Sequence, residues 1–425
     1  MDASAFILPL SAAAATDPDR VGPKAANLAA LARAGLPTPG GYCIAADAYR
    51  RQLEHLGLAA LLGEYRTADT LQQRRLSVEI RLALYQSKLA APVLADVLAA
   101  WRAAPKPAAV RSSALIEDRA DANFAGQFES FLGINDDDEF LTTLRACWAA
   151  LWTTNARRSM AQHGLYPADT AMAVLVQPLL AAHASGGGLS ETADGHMLLS
   201  ATWGLGSAIA QGEVVPDRIV LSRHGFVRSN EAGRKHHREA CTHSGGTLPQ
   251  AVPAELVRAP CLEAGQATTL GRLMRKAEAV MGMPIEIEWA LDQTGFKLLQ
   301  ARPLRVERPQ VPDEIWLKHP GLNGHPAGIG WGSGRAVVVN CECELARVAP
   351  GDILVTRVAG PALSHILPRV GGVVAELGGS TSHLASLARE RGIPMVLGVL
   401  DATQRIPDGA QVAVDGVAGI VRWLA

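Results

Sequence analysis

The sequence predicts an α/β protein in two parts, a large α+β segment followed by a small α/β domain. Three observations carry this. Residues 47–104 read as helical, with Leu53, Leu56, Ala60, Leu61, Leu82, Leu84 and Leu89 on apolar faces. Residues 171–180 form a nearly continuous apolar run, the pattern of a buried strand, and residues 285–291 alternate with period two before a turn and a return strand at 297–303. Beyond residue 326 short strands and turns alternate at 335–340, 352–356, 371–375, 395–399, 411–414 and 419–423, with helices near 361–368 and 382–391.

The 425 residues suffice for two to four domains. An apolar fraction of 48% and a charged fraction of 19% are those of a globular chain with ample core. The formal net charge of −1 supplies no global field for nucleic acid or an anionic membrane, so neither partner is expected. No apolar run reaches ~18 residues, and no basic region precedes the apolar N-terminus. A cytoplasmic protein without a signal peptide is therefore expected. The six cysteines are scattered, and Cys341 and Cys343 have no second pair at zinc spacing, so all six are expected as reduced thiols.

Taken in order, Val21 to Gly41 reads as a loop, a short helix and a Pro/Gly turn. Lys24, just before that helix, suits a phosphate, although alone it reads first as a solvated lysine. Residues 109–114 look like a strand end carrying Arg111. The small-residue loop from Asp121, through Phe124, Ala125, Gly126 and Gln127, has the composition to approach a polyphosphate with its backbone N–H groups. Residues 139–163 read as one helix. At the end of the apolar run, Gln177 is placed to meet a ligand through its backbone. In the hairpin, Glu286, Glu288, Gln300 and Arg302 project together. Two carboxylates and an amide oxygen suit a hard divalent cation bridging phosphates, or else a solvated strand face. Pro303 to Pro326 mixes prolines, charges and glycines and reads as a linker.

The last stretch, residues 378–394, reads as a glycine turn opening a helix. Gly378 and Gly379 allow conformations that side chains forbid, and Ser380, Thr381 and Ser382 supply capping hydroxyls. Leu384, Leu387 and Ala388 form the apolar stripe, Arg389, Glu390 and Arg391 the polar face, and Gly392 and Pro394 the stop. His383 then lies in the first turn, where free N–H groups and the helix dipole favour negative charge. A neutral imidazole there can take up a phosphoryl group, while the plain reading is a capping or core histidine.

Together these pieces resemble the phosphoenolpyruvate-utilising dikinases, the family of pyruvate phosphate dikinase, phosphoenolpyruvate synthase and rifampin phosphotransferase. Residues 20–302 resemble its ATP-grasp nucleotide domain through Gly22-x-Lys24-x-x-Asn27-Leu28, Val110-Arg111-Ser112-Ser113-Ala114, Phe124-Ala125-Gly126-Gln127, Glu286-Ile287-Glu288-Trp289 and Gln300-Ala301-Arg302-Pro303. Residues 327–424 resemble its swivelling phosphohistidine domain through residues 351–356, the Gly-Gly-Ser-Thr-Ser-His run and Asp415-Gly416.

The resemblance implies domains at 1–302 (lobes 1–195 and 196–302), a linker at 303–326 and a phosphohistidine domain at 327–425. It implies ATP and Mg²⁺. Lys24, Arg111 and Arg302 would hold phosphates, Glu288 and Gln300 would ligate magnesium, and Glu286 would support the nucleotide or metal. Gln177 and Leu179 would bind adenine, and the loop at Phe124–Gln127 would cover the triphosphate. His383 would become a phosphohistidine with AMP as the product and pass its phosphoryl group to an unidentified acceptor, a small molecule or a partner subunit. Alternatives are an ATP-driven ligase or condensing enzyme, or a phosphocarrier subunit of a split dikinase. The chain departs from the family at Ser185 to Glu191, where an apolar strand with Thr and Pro is usual, and at Ser207, where glutamate often stands. No phosphoenolpyruvate-binding barrel is seen after the histidine domain and no acceptor domain precedes it, so the acceptor is expected in the cleft, on another polypeptide, or not durably phosphorylated at all.

Overall fold

The computed structural model describes residues 6–117, 128, 130–241, 246–307, 316, 318–319 and 321–424. They fall into two compact units. The first takes Met1–Leu180, Cys241–Leu248 and Lys297–Arg302, and the second takes Ala181–Ala240, Pro249–Phe296 and Pro303–Ala425.

In the first unit, β1 (Ile7–Pro9), β2 (Tyr42–Ile44), β3 (Ala108–Ala114), β4 (Ser130–Ile134) and β5 (Met172–Pro178) form an antiparallel sheet in the order β1-β2-β5-β3-β4. The central position of β5 explains its unbroken apolar run: Met172 to Val176 are all buried. The helices are α1 (Pro18–Arg33), α2 (Ala46–His55), α3 (Ala59–Thr67), α4 (Thr70–Gln86), α5 (Ala91–Ala103), α6 (Asp137–Ala150) and α7 (Thr154–Gln162). Asp69 starts α4 by accepting from the Gln72 N–H, and Gln52 holds the turn before α5 through the Lys88 carbonyl and the Ala90 N–H. The single helix expected at 139–163 is two. Thr153 turns extended and caps α7 by accepting from the Ala156 N–H, so a local side-chain bond wins over helix continuation. Trp101 stacks on Phe140 at 4.4 Å between ring centres, and the Trp152 N–H donates to Tyr49 at 2.9 Å, so both large rings are buried without an idle polar end at Trp152.

The second unit holds β6 (Ala184–Leu189), β7 (Met197–Trp203), α8 (Ser207–Ala210), β8 (Asp217–Leu221), β9 (Val227–Glu231), parts of β10 (His237–Cys241) and β11 (Thr247–Ala251), α9 (Ala264–Met281) and β12 (Ile285–Asp292), with β13 (Gly295–Pro303) following in the chain. Its strands pair antiparallel in the order β12-β6-β7-β8-β9. The Asp217 carboxylate, fully buried, is paired with Lys235 and accepts from the Gly233 and Cys261 N–H groups.

An eight-stranded sheet then follows: β14 (Gly321–Asn323), β15 (His325–Pro326), β16 (Trp331–Val339), β17 (Ile353–Thr356), β18 (Gly372–Ala375), β19 (Met395–Leu397), β20 (Gln411–Asp415) and β21 (Ile420–Trp423). The order is β14-β21-β20-β16-β17-β18-β19-β15. Residues 336–339 alternate between two apolar clusters: Val337 and Val339 face Leu384, Leu387 and Ala388 of α10 (His383–Arg391), while Ala336 and Val338 share the other cluster with Val412 and Val414. Each such aliphatic side chain, once buried, contributes about 1.5–3 kcal/mol. A short α11 (Ala402–Arg405) closes the second face. The helix expected near 361–368 forms as two short 3-10 turns, Pro361–His365 and Leu367–Arg369.

β14 and β15 are separated in the chain by Gly324 alone, yet they occupy the two opposite edges of this sheet. The sheet is therefore curled until one continuous segment reaches both edges. A Cβ at Gly324 would lie 2.5 Å from the Leu397 carbonyl oxygen, and the Gly324 N–H donates to Gly419.

The structure corrects the cysteine expectation. Cys341 and Cys343 are joined by a disulfide on an exposed turn, the extended backbone of Cys341 setting their Cα atoms 5.4 Å apart. Cys43, Cys147 and Cys261 are buried and stand outside any disulfide, and burial pushes the Cys43 and Cys261 thiols up. No single described helix is long and apolar enough to cross a membrane.

Candidate active site

In the first unit, α1 breaks where it crosses β3. Gly22 has φ +76°, and a Cβ there would lie 2.5 Å from Ser113 Oγ and 2.6 Å from the Ser113 carbonyl oxygen. Only glycine permits both the conformation and the approach. Ser113 fastens the crossing: its Oγ donates to the Val21 carbonyl and accepts from the Ala25 N–H. The helix resumes at Pro23, and Lys24 is carried down against the sheet rather than into a preceding loop. Its ammonium lies 2.8 Å from Glu117 Oε1 and donates to the Ser112 carbonyl at 3.0 Å. Both side chains are deeply buried, 8% exposed for Lys24 and 4% for Glu117. Lys24 is thus no solvated lysine. Arg111 is half-buried in the middle of β3, opposite Leu175 of β5 and Ser130 of β4.

Asn27 of the same helix donates from its side-chain amide to the Ala301 carbonyl, and Leu298 donates to Pro37. These bonds fix β13, which carries the buried side chains of Gln300 and Arg302, in the first unit. Gln177 is buried, its side-chain amide donating to the Gly40 carbonyl at 3.1 Å and its backbone opposite Ala109. The Leu179 N–H donates to the Pro107 carbonyl. Phe124, Ala125, Gly126 and Gln127 lie outside the described residues.

In the second unit, His383 is the first residue of α10 and is half-buried. Ser382 is the cap, accepting from the Ala385 N–H at 3.2 Å, and Gly392 ends the helix with φ 70°. The expectation that three hydroxyls would cap holds for Ser382 alone. Ser380 and Thr381 are packed inward, and their hydroxyl oxygens are buried without a partner among the described residues. The turn before the histidine is pinned by Gly378, whose φ is +93° and whose N–H donates to the Val214 carbonyl at 3.0 Å.

Glu286 and Glu288 lie on β12, opposite Leu189 and Gly187 of β6. Glu286 is buried and accepts from Ser386 Oγ at 2.9 Å and from the Arg389 guanidinium at 2.9 Å. Arg389 was expected on a polar face of α10; it is only 6% exposed. The i, i+3 spacing of Ser386 and Arg389 puts both over the same carboxylate. Glu117, Ser386 and Arg389 are the polar site residues that sequence reasoning passed over. Glu117 stood in view beside Asp118, but its partner is 93 positions away, at Lys24.

His325, on β15, is buried with its Nδ1 unpartnered among the described residues. Burial, with Arg218 and Arg234 nearby, lowers its pKa to about 4. The folded chain keeps His325 neutral down to about pH 4, the unfolded chain only to about 6.5. Between those values the unfolded state binds more protons. The stability tied to neutral His325 is full above pH 6.5 and is lost as pH falls toward 4, by about 3 kcal/mol. Urea unfolding across this interval should be less pH-dependent in a His325→Phe variant, by about one proton. Equal slopes would show that His325 titrates at its ordinary value.

A glycine-broken helix bears a buried lysine in the first unit, and a histidine opens a helix in the second. Residues 18–317 match the family model described as pyruvate phosphate dikinase, AMP/ATP-binding domain, and residues 348–419 match PEP-utilising enzyme, mobile domain. The chain belongs to the phosphoenolpyruvate synthase and pyruvate phosphate dikinase family. It is 32% identical over 424 aligned positions to a probable phosphoenolpyruvate synthase of Archaeoglobus fulgidus, covering 94% of this chain and 56% of the relative. It is 30% identical to a probable phosphoenolpyruvate synthase of Methanothermobacter thermautotrophicus (94% and 61%) and 30% identical to phosphoenolpyruvate synthase of Escherichia coli (95% and 55%). The chain thus spans little more than half the length of these relatives.

Proposed function

We propose that the chain is an ATP-dependent phosphotransferase that forms a phosphohistidine at His383 with release of AMP. The observation that supports it most is the position of His383 at the start of α10, in a mobile-type domain that follows a nucleotide-binding domain in one chain. A neutral imidazole nitrogen attacks the β-phosphorus of ATP, the bond to the bridging α–β oxygen breaks, and AMP leaves with that oxygen. The imidazole N–H proton is lost to solvent, and the terminal phosphate passes to water or inorganic phosphate. At neutral pH an ordinary histidine supplies the neutral form. The remaining demand is alignment and charge neutralisation. Lys24 and Arg111 hold phosphate oxygens, and the Lys24 ammonium is already fixed by Glu117 and the Ser112 carbonyl, so little order is lost on binding.

The chemistry of two of the proposed residues suits magnesium. Glu288 offers a half-buried carboxylate and Gln300 a buried amide oxygen, and this ion is commonly held by one or two carboxylates together with substrate phosphates. Bound there, it would neutralise charge on the phosphates. Glu286 supports the same strand, Arg302 reaches a phosphate, and Gln177 and Leu179 line the adenine position. The acceptor is a small molecule or a partner subunit. The name of the relatives directs the first test to pyruvate, with phosphoenolpyruvate as product.

The test is incubation of the purified chain with magnesium and ATP labelled in the β-phosphate. An acid-labile, alkali-stable label on the protein, with AMP formed in proportion, is the expected result. Neither label nor AMP would overturn the proposal.

A further inference from the structure

Within the second unit, α10 and the turn that leads into it sit on the surface made by β6, β12 and the segment before β8. A Cβ on Gly187 would lie 2.5 Å from Thr381 Cβ, and one on Gly379 would lie 2.5 Å from Pro216 Cγ. The glycine at 187 therefore makes room for the histidine loop, which gives the unusual Gly186-Gly187-Gly188 run of β6 a physical reason. At Gly188 a Cβ would instead meet Met274 Sδ at 2.8 Å, on the other face of the strand.

One side chain connects this seat to the loop that carries the histidine. The Arg389 guanidinium donates to Glu286 on β12 at 2.9 Å, to the Ser380 carbonyl at 2.5 Å and to the Ala327 carbonyl at 3.2 Å. Ser386 Oγ donates to the same Glu286 carboxylate. The ion pair is buried at both ends, 8% exposed at Arg389 and 6% at Glu286. Guanidinium is the cation suited to this geometry, since its rigid fork serves several acceptors at once. Ser380 is three residues before His383, so the arginine that meets the nucleotide-domain strand also sets the backbone of the histidine loop.

We propose that Glu286, Ser386 and Arg389 form a docking latch that positions His383 for phosphorylation, and that Glu286 acts chiefly through this latch rather than on the nucleotide. The inference rests on the phosphotransferase reading above. None of the three is a catalytic residue; all act through the placement of α10 and its leading turn. Undocking for delivery to the acceptor requires this pair to separate, so the latch must release as well as hold.

The test is a double-mutant cycle on the rate of phosphohistidine formation under saturating ATP, using Glu286→Gln, Arg389→Lys and the double variant. Each single change should slow phosphorylation on the order of 10- to 100-fold with the KM for ATP unchanged. The double variant should be no slower than the slower single. Multiplying effects, or a Glu286→Gln variant whose defect lies in the KM for ATP while Arg389→Lys behaves as wild type, would overturn the latch. The same four proteins are compared by hydrogen exchange over residues 285–292 and 383–391. If wild type forms no phosphohistidine, the phosphotransferase reading fails. The latch is then judged by exchange alone: faster exchange in both segments of Glu286→Gln sustains it, and unchanged exchange overturns it.

Discussion

Replacing His383 by alanine removes phosphohistidine and AMP formation together, by about a thousandfold or more, while ATP binding persists. The nucleophile is the only route from ATP to a covalent phosphoenzyme in this proposal, and no hydroxyl of Ser380 or Thr381 stands in for it, because both are packed inward. His383 is half-buried at the first position of a capped helix, so its truncation costs stability only on the order of 1 kcal/mol. Calorimetric ATP titration and AMP quantification on the same preparation check both halves. An acid-labile label surviving in His383→Ala would place the nucleophile on another residue.

Lys24→Met is the second large effect, and it has two separable parts. Removing the ammonium leaves the Glu117 carboxylate buried beside a single long bond from the Ala114 N–H, at 3.4 Å, and its remaining contacts. Stripping one partner from a buried ion pair costs about 3–5 kcal/mol, and the urea midpoint should fall accordingly. AMP formation should fall by about a hundredfold or more, since the fixed cation that meets the phosphates is gone. The double variant Lys24→Met/Glu117→Leu separates the parts. It should regain much of the stability, because a buried pair replaced by apolar groups is often neutral. It should regain none of the AMP formation. Recovery of both would make Lys24 a structural residue alone.

Much of this architecture was legible because its determinants are local. The period-two pattern of 285–291, the apolar run at 171–180 and the glycine stop at 392 each depend on residues within a few positions, and β12, β5 and α10 formed where they pointed. The parts that escaped depend on distant partners. Arg389 reads as a surface residue from its neighbours Glu390 and Arg391, and it is buried because Glu286, 103 positions earlier, supplies a carboxylate. The glycines at 186–188 read as a departure from the expected strand, and Gly187 is explained only by Thr381, which no local pattern could bring to it. Ser380 and Thr381 read as capping groups by composition. Helix geometry admits one cap side chain, and Ser382 takes it.

The two-edged entry of the chain into the eight-stranded sheet has a mechanical meaning. A strand at a sheet edge attached to a single neighbour can be unzipped one hydrogen bond at a time by a pull on its end. Here the entering segment is bonded to β21 on one side of Gly324 and to β19 on the other, at opposite margins of the sheet. A tug arriving from residue 320 is divided between two ladders that must shear together, and it reaches the parallel strands through β19, next to β18. The sheet then turns as a solid rather than fraying, and its margins are strands of only three and two residues, which offer another chain little to pair with.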